Sequence, residues 1–363
     1  MFPDIIKNLL FIALGIIGIG VLIGFHELGH FIFAKIFKVS TPSFSIGMGP
    51  KIFKKKIGET VFSLSAIPLG GYVEIAGMSE VGQGEQKEAK RTDEYAFSSK
   101  PYWQKLLILC GGILFNMIFA YFVFFILFMT GIPKNPMLFP ESVLPIVEVI
   151  SSGSPAEKYH LQVDDKIVSI DGRVISNALQ FNQELHPEAN KEVKLVVERN
   201  GQIIDVPVVL DAAGKVGIGF KTPTSMVEFA PEPFVTSAKK AFKATNSVFM
   251  QTVSAFSSIF TKKSVSGLGG PIAVISQTIK GAKQGFKIFL LLLAFISINL
   301  AVLNLIPLPI LDGGQIAFTT IEAILRRPVS DQIKIVIHYI CWVGILILAL
   351  YLTFEDLKKI IRG

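Results

Sequence analysis

The chain has 363 residues, of which 51% are hydrophobic and only 17% charged, with 30 phenylalanines and a formal net charge of +7. Its length would permit two or three soluble domains, but such domains carry roughly 25% charge, so a purely soluble protein is excluded and long apolar segments must dilute the average. Two cysteines, Cys110 and Cys341, rule out a disulfide framework and a cysteine metal site, and no basic helix with interleaved aromatics makes nucleic acid an expected partner.

In chain order, residues 9–25 form the first apolar run; it carries no charge and leads straight into His26 and Glu27. It is close to the ~20 residues that cross a bilayer as a helix. No small-residue cleavage site follows, so it reads as an uncleaved first span. Residues 41–72 are broken by Gly47, Gly49 and Pro50, and Thr60 to Ser65 then alternate polar and apolar, a strand pattern. A β-hairpin that dips toward the membrane is expected there. Residues 79–94 are polar and read as a loop.

Residues 106–132 form the second apolar run, and about 150 residues of ordinary soluble composition, enough for a domain, precede the third, 288–311. Within that insert, 143–220 reads as one small α/β module. A strand at 146–150 is followed by a turn at 153–156 into a short helix, and 192–199 and 203–210 flank Asn200-Gly201, a hairpin signal. Residues 227–260 contain Pro231 and Pro233 and then an amphipathic helix. The fourth run is 335–354. The domains are thus 1–132, 143–220, 221–285 and 286–363, the first and last being halves of one membrane domain.

Charge sets the orientation. Lys51, Lys54, Lys55, Lys56, Lys87, Lys90 and Arg91 lie between the first two runs, and Arg326, Arg327 and Lys334 between the last two. Cationic loops stay cytoplasmic, so the insert and both termini lie outside. Lys239, Lys240, Lys243, Lys262 and Lys263 run against this bias, which long translocated regions obey poorly.

The chemistry begins at His26-Glu27-Leu28-Gly29-His30. Positions four apart share a helix face, so both imidazoles can point at one metal ion. Glu27 stands beside the first of them, where it can take a proton from water. A catalytic zinc wants a third protein ligand and one open position. Of the other histidines, His160 and His186 fall in the insert and His338 in the fourth run. Asp312 is the better candidate, with His338 as its competitor and an N-cap role as its bland alternative. It ends Asn304-Leu305-Ile306-Pro307-Leu308-Pro309-Ile310-Leu311-Asp312. Pro307 and Pro309 break the helix in the membrane, leaving carbonyls and Asn304 free to bond a substrate backbone.

Together the His26 to His30 motif, the Asn304 to Gly313 stretch and the module with Gly153-Ser154-Pro155-Ala156 resemble the bacterial site-2 protease family, in its RseP-like branch. The resemblance covers nearly the whole chain. It implies an α-helical integral membrane protein with four transmembrane helices and a membrane-reentrant β-hairpin, plus an inserted α/β PDZ domain. It also implies a zinc endopeptidase of the bacterial inner membrane that cuts single-span proteins within the bilayer, such as anti-sigma factors or leftover signal peptides. The active site is expected near the cytoplasmic side and the PDZ domain in the periplasm.

Carried over by residue, His26, His30 and Asp312 hold one Zn2+, Glu27 is the base, and Asn304, Pro307 and Pro309 bind substrate. Gly47, Gly49, Phe62, Ser63 and Leu64 match the reentrant hairpin, which could pair with an unwound substrate. Gly217, Ile218, Gly219 and Phe220 would form the groove of a circularly permuted PDZ domain, open to a peptide ligand. Two departures stand out. Ile113 replaces the proline of the family's second-span motif while Asn116 is kept, and the insert has room for one PDZ domain where RseP has two. The rival readings are a non-catalytic membrane-anchored PDZ adaptor, which leaves Glu27 and Asp312 unexplained, and a transporter, which leaves the histidine motif unexplained.

Overall fold

The computed structural model describes residues 2–78, 86–133, 138, 143–185, 190–212, 214–221, 228–262 and 271–362; His186, Lys263 and residues 79–85 of the expected polar loop lie outside these. The chain forms two compact units, one of Met1–Met129 with Pro233–Gly363 and the other of Thr130–Glu232. The elements in order are α1 (Phe2–Ile36), β1 (Ser43–Ile57), β2 (Thr60–Glu74), a 3-10 turn (Phe97–Ser99) and α2 (Tyr102–Thr130). Next come β3 (Val147–Ile150), α3 (Pro155–Lys158), β4 (Lys166–Ile170), β5 (Arg173–Val174), α4 (Ala178–Glu184), β6 (Glu192–Arg199), β7 (Gln202–Val209) and β8 (Ile218–Phe220). The chain closes with α5 (Phe234–Lys262), α6 (Pro271–Gln284), α7 (Phe286–Asn304), α8 (Asp312–Leu325) and α9 (Asp331–Arg362).

Among the described residues, four helices are long and apolar enough to cross a membrane: Leu9–Ile36, Tyr102–Thr130, Phe286–Asn304 and Gln332–Phe354. Two depart from the lengths expected. The first does not stop at Phe25, because Leu28, Phe31 and Ala34 continue the apolar face at helical spacing and pack with Phe44, Val73 and Ile108. The third ends at Asn304 rather than Leu311. Pro307 disfavours helix at the residue before it, so the chain leaves α7 and starts again at Asp312. α1 and α2 meet through glycines. A Cβ built on Gly29 would sit 2.1 Å from the Gly111 carbonyl oxygen, and one on Gly111 2.5 Å from that of Gly29. Small residues at such crossings let two backbones touch.

The expected hairpin is present and folds back further than alternation alone indicates. Its distal arm pairs residues 51–57 with 60–65, Ile57 opposite Thr60. Gly47 and Gly49, at φ +85° and +84°, reverse the chain between residues 43–46 and that arm. Residues 43–46 are then flanked on both sides: Phe44 lies opposite Phe62 on one and opposite Val73 on the other. Among the described residues, 71–74 therefore pair on one side only and form an edge.

The Thr130–Glu232 unit holds a four-stranded sheet in the order β5-β4-β6-β7 and a two-stranded pair of β3 and β8. β6 and β7 turn at Asn200-Gly201, both with positive φ, as the dipeptide predicts. The unit has its own core, with Val147, Ile167, Leu195 and Val208 wholly buried. Asp165, also wholly buried, accepts two 2.7 Å hydrogen bonds from Arg199.

Candidate metal centre

One turn of α1 places His26 and His30 on a common face, their ring centroids 4.9 Å apart and their Nε2 atoms 3.3 Å apart. Asp312, the first residue of α8, completes a triangle. Its Oδ2 lies 3.2 Å from His26 Nε2 and its Oδ1 3.4 Å from His30 Nε2. One ligand atom from each of the three falls within 4.8 Å of the others, and among the described residues this is the group of three or more such side chains able to hold a metal ion. Asp312 does not cap its helix: Leu311 holds the cap position, with no side-chain cap bond. Its Oδ2 is instead buried without a hydrogen-bond partner. Leaving such an atom bare costs about 1–3 kcal/mol or more for a charged group, and a cation there would remove that cost. Two imidazoles and a carboxylate with a fourth position open form a donor set suited to zinc.

The second helix backs this triangle along one face, at positions 108, 112 and 116. His30 Nδ1 donates to the Ile108 carbonyl at 2.8 Å, which leaves its Nε2 bare and facing inward. At the next position, a Cβ on Gly112 would stand 2.4 Å from His30 Nε2 and 2.5 Å from His26 Cε1. Only glycine leaves room for both rings. Asn116 follows one turn on, with Nδ2 3.1 Å from His26 Nδ1.

His26, His30 and Asp312 line a cavity of about 140 Å³ with Glu27, Val73, Ile75, Asn304, Ile310 and Leu311. Glu27 is 9% exposed and lies beside Val73 of the β2 edge. The space is roomy and polar enough to hold ordered water beside the three candidate ligands.

Asn304 thus lines the cavity with the histidines, Glu27 and Asp312. Pro307 and Pro309 do not line it; they shape the turn before α8, where the Pro309 carbonyl accepts from Gln315 Nε2 at 3.2 Å. Phe62, Ser63 and Leu64 are likewise not in the lining. Phe62 packs on Phe31 and Phe44, Ser63 donates to the Phe44 carbonyl, and Leu64 is exposed. Gly47 and Gly49 only turn the chain.

Val73 and Ile75, rather than Phe62 to Leu64, line the cavity. Sequence reasoning missed them although Tyr72 to Ile75 alternate polar and apolar, the same strand signal read at residues 60–65. His338 is occupied elsewhere: its Nδ1 bonds the Lys334 carbonyl at 2.9 Å, Nε2 lies 3.4 Å from Gln315, and the ring stacks on Phe318. Gly217 to Phe220 belong to the other unit, where β8 pairs with β3 and a Cβ on Gly217 would run into Ser154.

The sequence matches the family described as Peptidase family M50 over residues 14–349. It is 33% identical over 318 residues to a protein of Fusobacterium nucleatum named as a zinc metalloprotease, covering 86% of this chain and 88% of that one. A protein of the same description from Campylobacter jejuni is 31% identical over 360 residues, covering 94% and 92%. Zinc metalloprotease RasP of Oceanobacillus iheyensis is 25% identical over 428 residues, covering 94% and 97%. The matched stretch contains every residue of the cavity, and with these relatives it makes the chain a member of peptidase family M50, a membrane zinc metalloprotease of the site-2 type.

Proposed function

We propose that this enzyme cleaves peptide bonds inside the transmembrane segments of single-span membrane proteins, of the anti-sigma-factor or remnant-signal-peptide kind. The observation that carries this reading is the meeting of His26, His30 and Asp312 with a buried Glu27 in one small cavity, among helices apolar enough to span a bilayer. Ionisable groups are costly in such helices and are kept there for function.

In this reading His26, His30 and Asp312 hold one zinc ion. When bound, zinc supplies a Lewis acid that acidifies water and polarises a carbonyl. Glu27 accepts the proton of the attacking water and passes it to the leaving amide nitrogen, so that one water adds across one C–N bond. Asn304 and the turn around Pro307 and Pro309 hold the substrate backbone from one side. From the other, the edge at Val73 and Ile75 takes it up as an added strand.

Two finer assignments belong to the same reading. The β1–β2 hairpin re-enters the membrane from the cytoplasmic side, supported by exposed Met48, Ile52, Phe53, Ile57, Leu64 and Ile67 beside Lys51 and Lys54 to Lys56. The Thr130–Glu232 unit is an extracytoplasmic PDZ domain of an inner-membrane protease, with Gly217 to Phe220 at its peptide groove; the charge bias of the loops supports its side of the membrane.

The test is Glu27→Gln, assayed on a tagged single-span substrate. The variant should fold and keep its zinc while cleavage falls by roughly 10²–10⁴-fold or more, the usual contribution of a general base. Near-normal turnover would remove Glu27 from the chemistry.

A further inference from the structure

Asn116 is wholly buried in α2, among side chains that are mostly apolar. Its amide makes one contact, to Nδ1 of His26 at 3.1 Å, and its Oδ1 has no hydrogen-bond partner. A half-satisfied amide in such a place destabilises the fold relative to a well-packed apolar side chain. Packing alone does not account for it. Leucine, of similar size, would fill the space without leaving a polar atom bare.

The geometry of His26 supplies the reason. Its Nε2 faces Asp312 Oδ2 at 3.2 Å and His30 Nε2 at 3.3 Å. A ring nitrogen that binds a metal must carry no proton, so the proton of a neutral imidazole then sits on Nδ1 and needs an acceptor. His30 meets this condition through the Ile108 carbonyl. For His26 the group in place is the Asn116 amide. Its nitrogen and oxygen exchange places by a half-turn that leaves the contact where it is, so the side chain can offer an acceptor to Nδ1.

We infer that Asn116 is a positioning residue for the metal centre: its side-chain oxygen accepts the Nδ1 proton of His26 and holds the ring with a bare Nε2 turned toward Asp312 and His30. This inference rests on the proposed ligand set. It gives α2 two equivalent tasks, each one turn from Gly112, a backbone acceptor for His30 and a side-chain acceptor for His26.

The experiment uses the full-length protein in detergent, stripped of metal and titrated with Zn2+ against a fluorescent chelator. Asn116→Leu should bind zinc about 10–100-fold more weakly, the usual effect of removing an outer partner of a ligand. Asn116→Asp keeps an acceptor and should stay near wild type. If leucine prevents folding, Asn116→Ala against Asn116→Asp carries the same comparison. Wild-type affinity in the leucine or alanine variant would overturn the inference, and so would an equal loss in the aspartate variant, which marks a packing role. The ligand set is read separately. Should His26→Ala and Asp312→Ala retain zinc, the ligand assignment itself fails; should they lose it while Asn116→Leu does not, only the role of Asn116 falls.

Discussion

His338 and Asp312 are both competent zinc donors by residue type, and their neighbours separate them. Both ring nitrogens of His338 face other groups, the Lys334 carbonyl and the Gln315 amide, whereas Asp312 points a bare oxygen at the histidine pair. Asp312→Ala should therefore lose zinc and activity together, a larger loss than the 10–100-fold or so that follows from outer-shell changes. His338→Ala should keep both. Metal analysis of the two purified variants decides, and zinc that followed His338 would reverse the assignment. The histidine pair and Glu27 were legible in the sequence because four-residue spacing on a helix is a local property. Asp312 could be reached because few other candidates existed. The Ile108 carbonyl was beyond reach, since every residue carries such a group and only the fold selects the ones that matter.

At the level of elements, the hairpin edge makes the sharpest prediction. Val73 borders the cavity beside Glu27, on the segment that pairs on one side only. Proline is tolerated on the outer side of an edge strand, so Val73→Pro should leave the fold and the zinc content intact. It obstructs an added strand, so kcat/KM should fall by about tenfold or more, the equivalent of one lost hydrogen bond of about 1.4 kcal/mol. Val73→Ala serves as the control. Unchanged cleavage by the proline variant would exclude this edge from substrate binding.

The alternation at residues 60–65 announced a hairpin, but not which segment would be its edge. That depends on the reversal at Gly47 and Gly49, which sandwiches residues 60–65 between two neighbours and leaves residues 71–74 outermost. The early end of α7 was only half legible. The prolines marked a break, but not that the helix would stop before them, at Asn304. α6 gave no clear signal, as its 14 residues include Pro271 at the start and Gly281 within.

The molecule is two units with separate cores, and every residue lining the candidate site belongs to one of them. Deleting residues 143–220 should therefore leave a membrane unit that still binds zinc and cleaves a substrate already trimmed of its outer domain. If the insert acts as a size filter, the deletion should also admit substrates with bulky outer domains. Zinc content and cleavage of paired short and long substrates measure this; a folded deletion variant with no activity on either would tie the insert to catalysis. The division was visible in composition, because an apolar run cannot share a soluble core.

The long interval between the two parts of the site has a consequence during synthesis. His30 and Asp312 are 282 positions apart (312 − 30), so a nascent chain carries the histidine pair through the first two spans and the whole insert before the carboxylate is translated. On the proposed ligand set the growing chain stays inert until its own third apolar helix and the carboxylate just beyond it have been made.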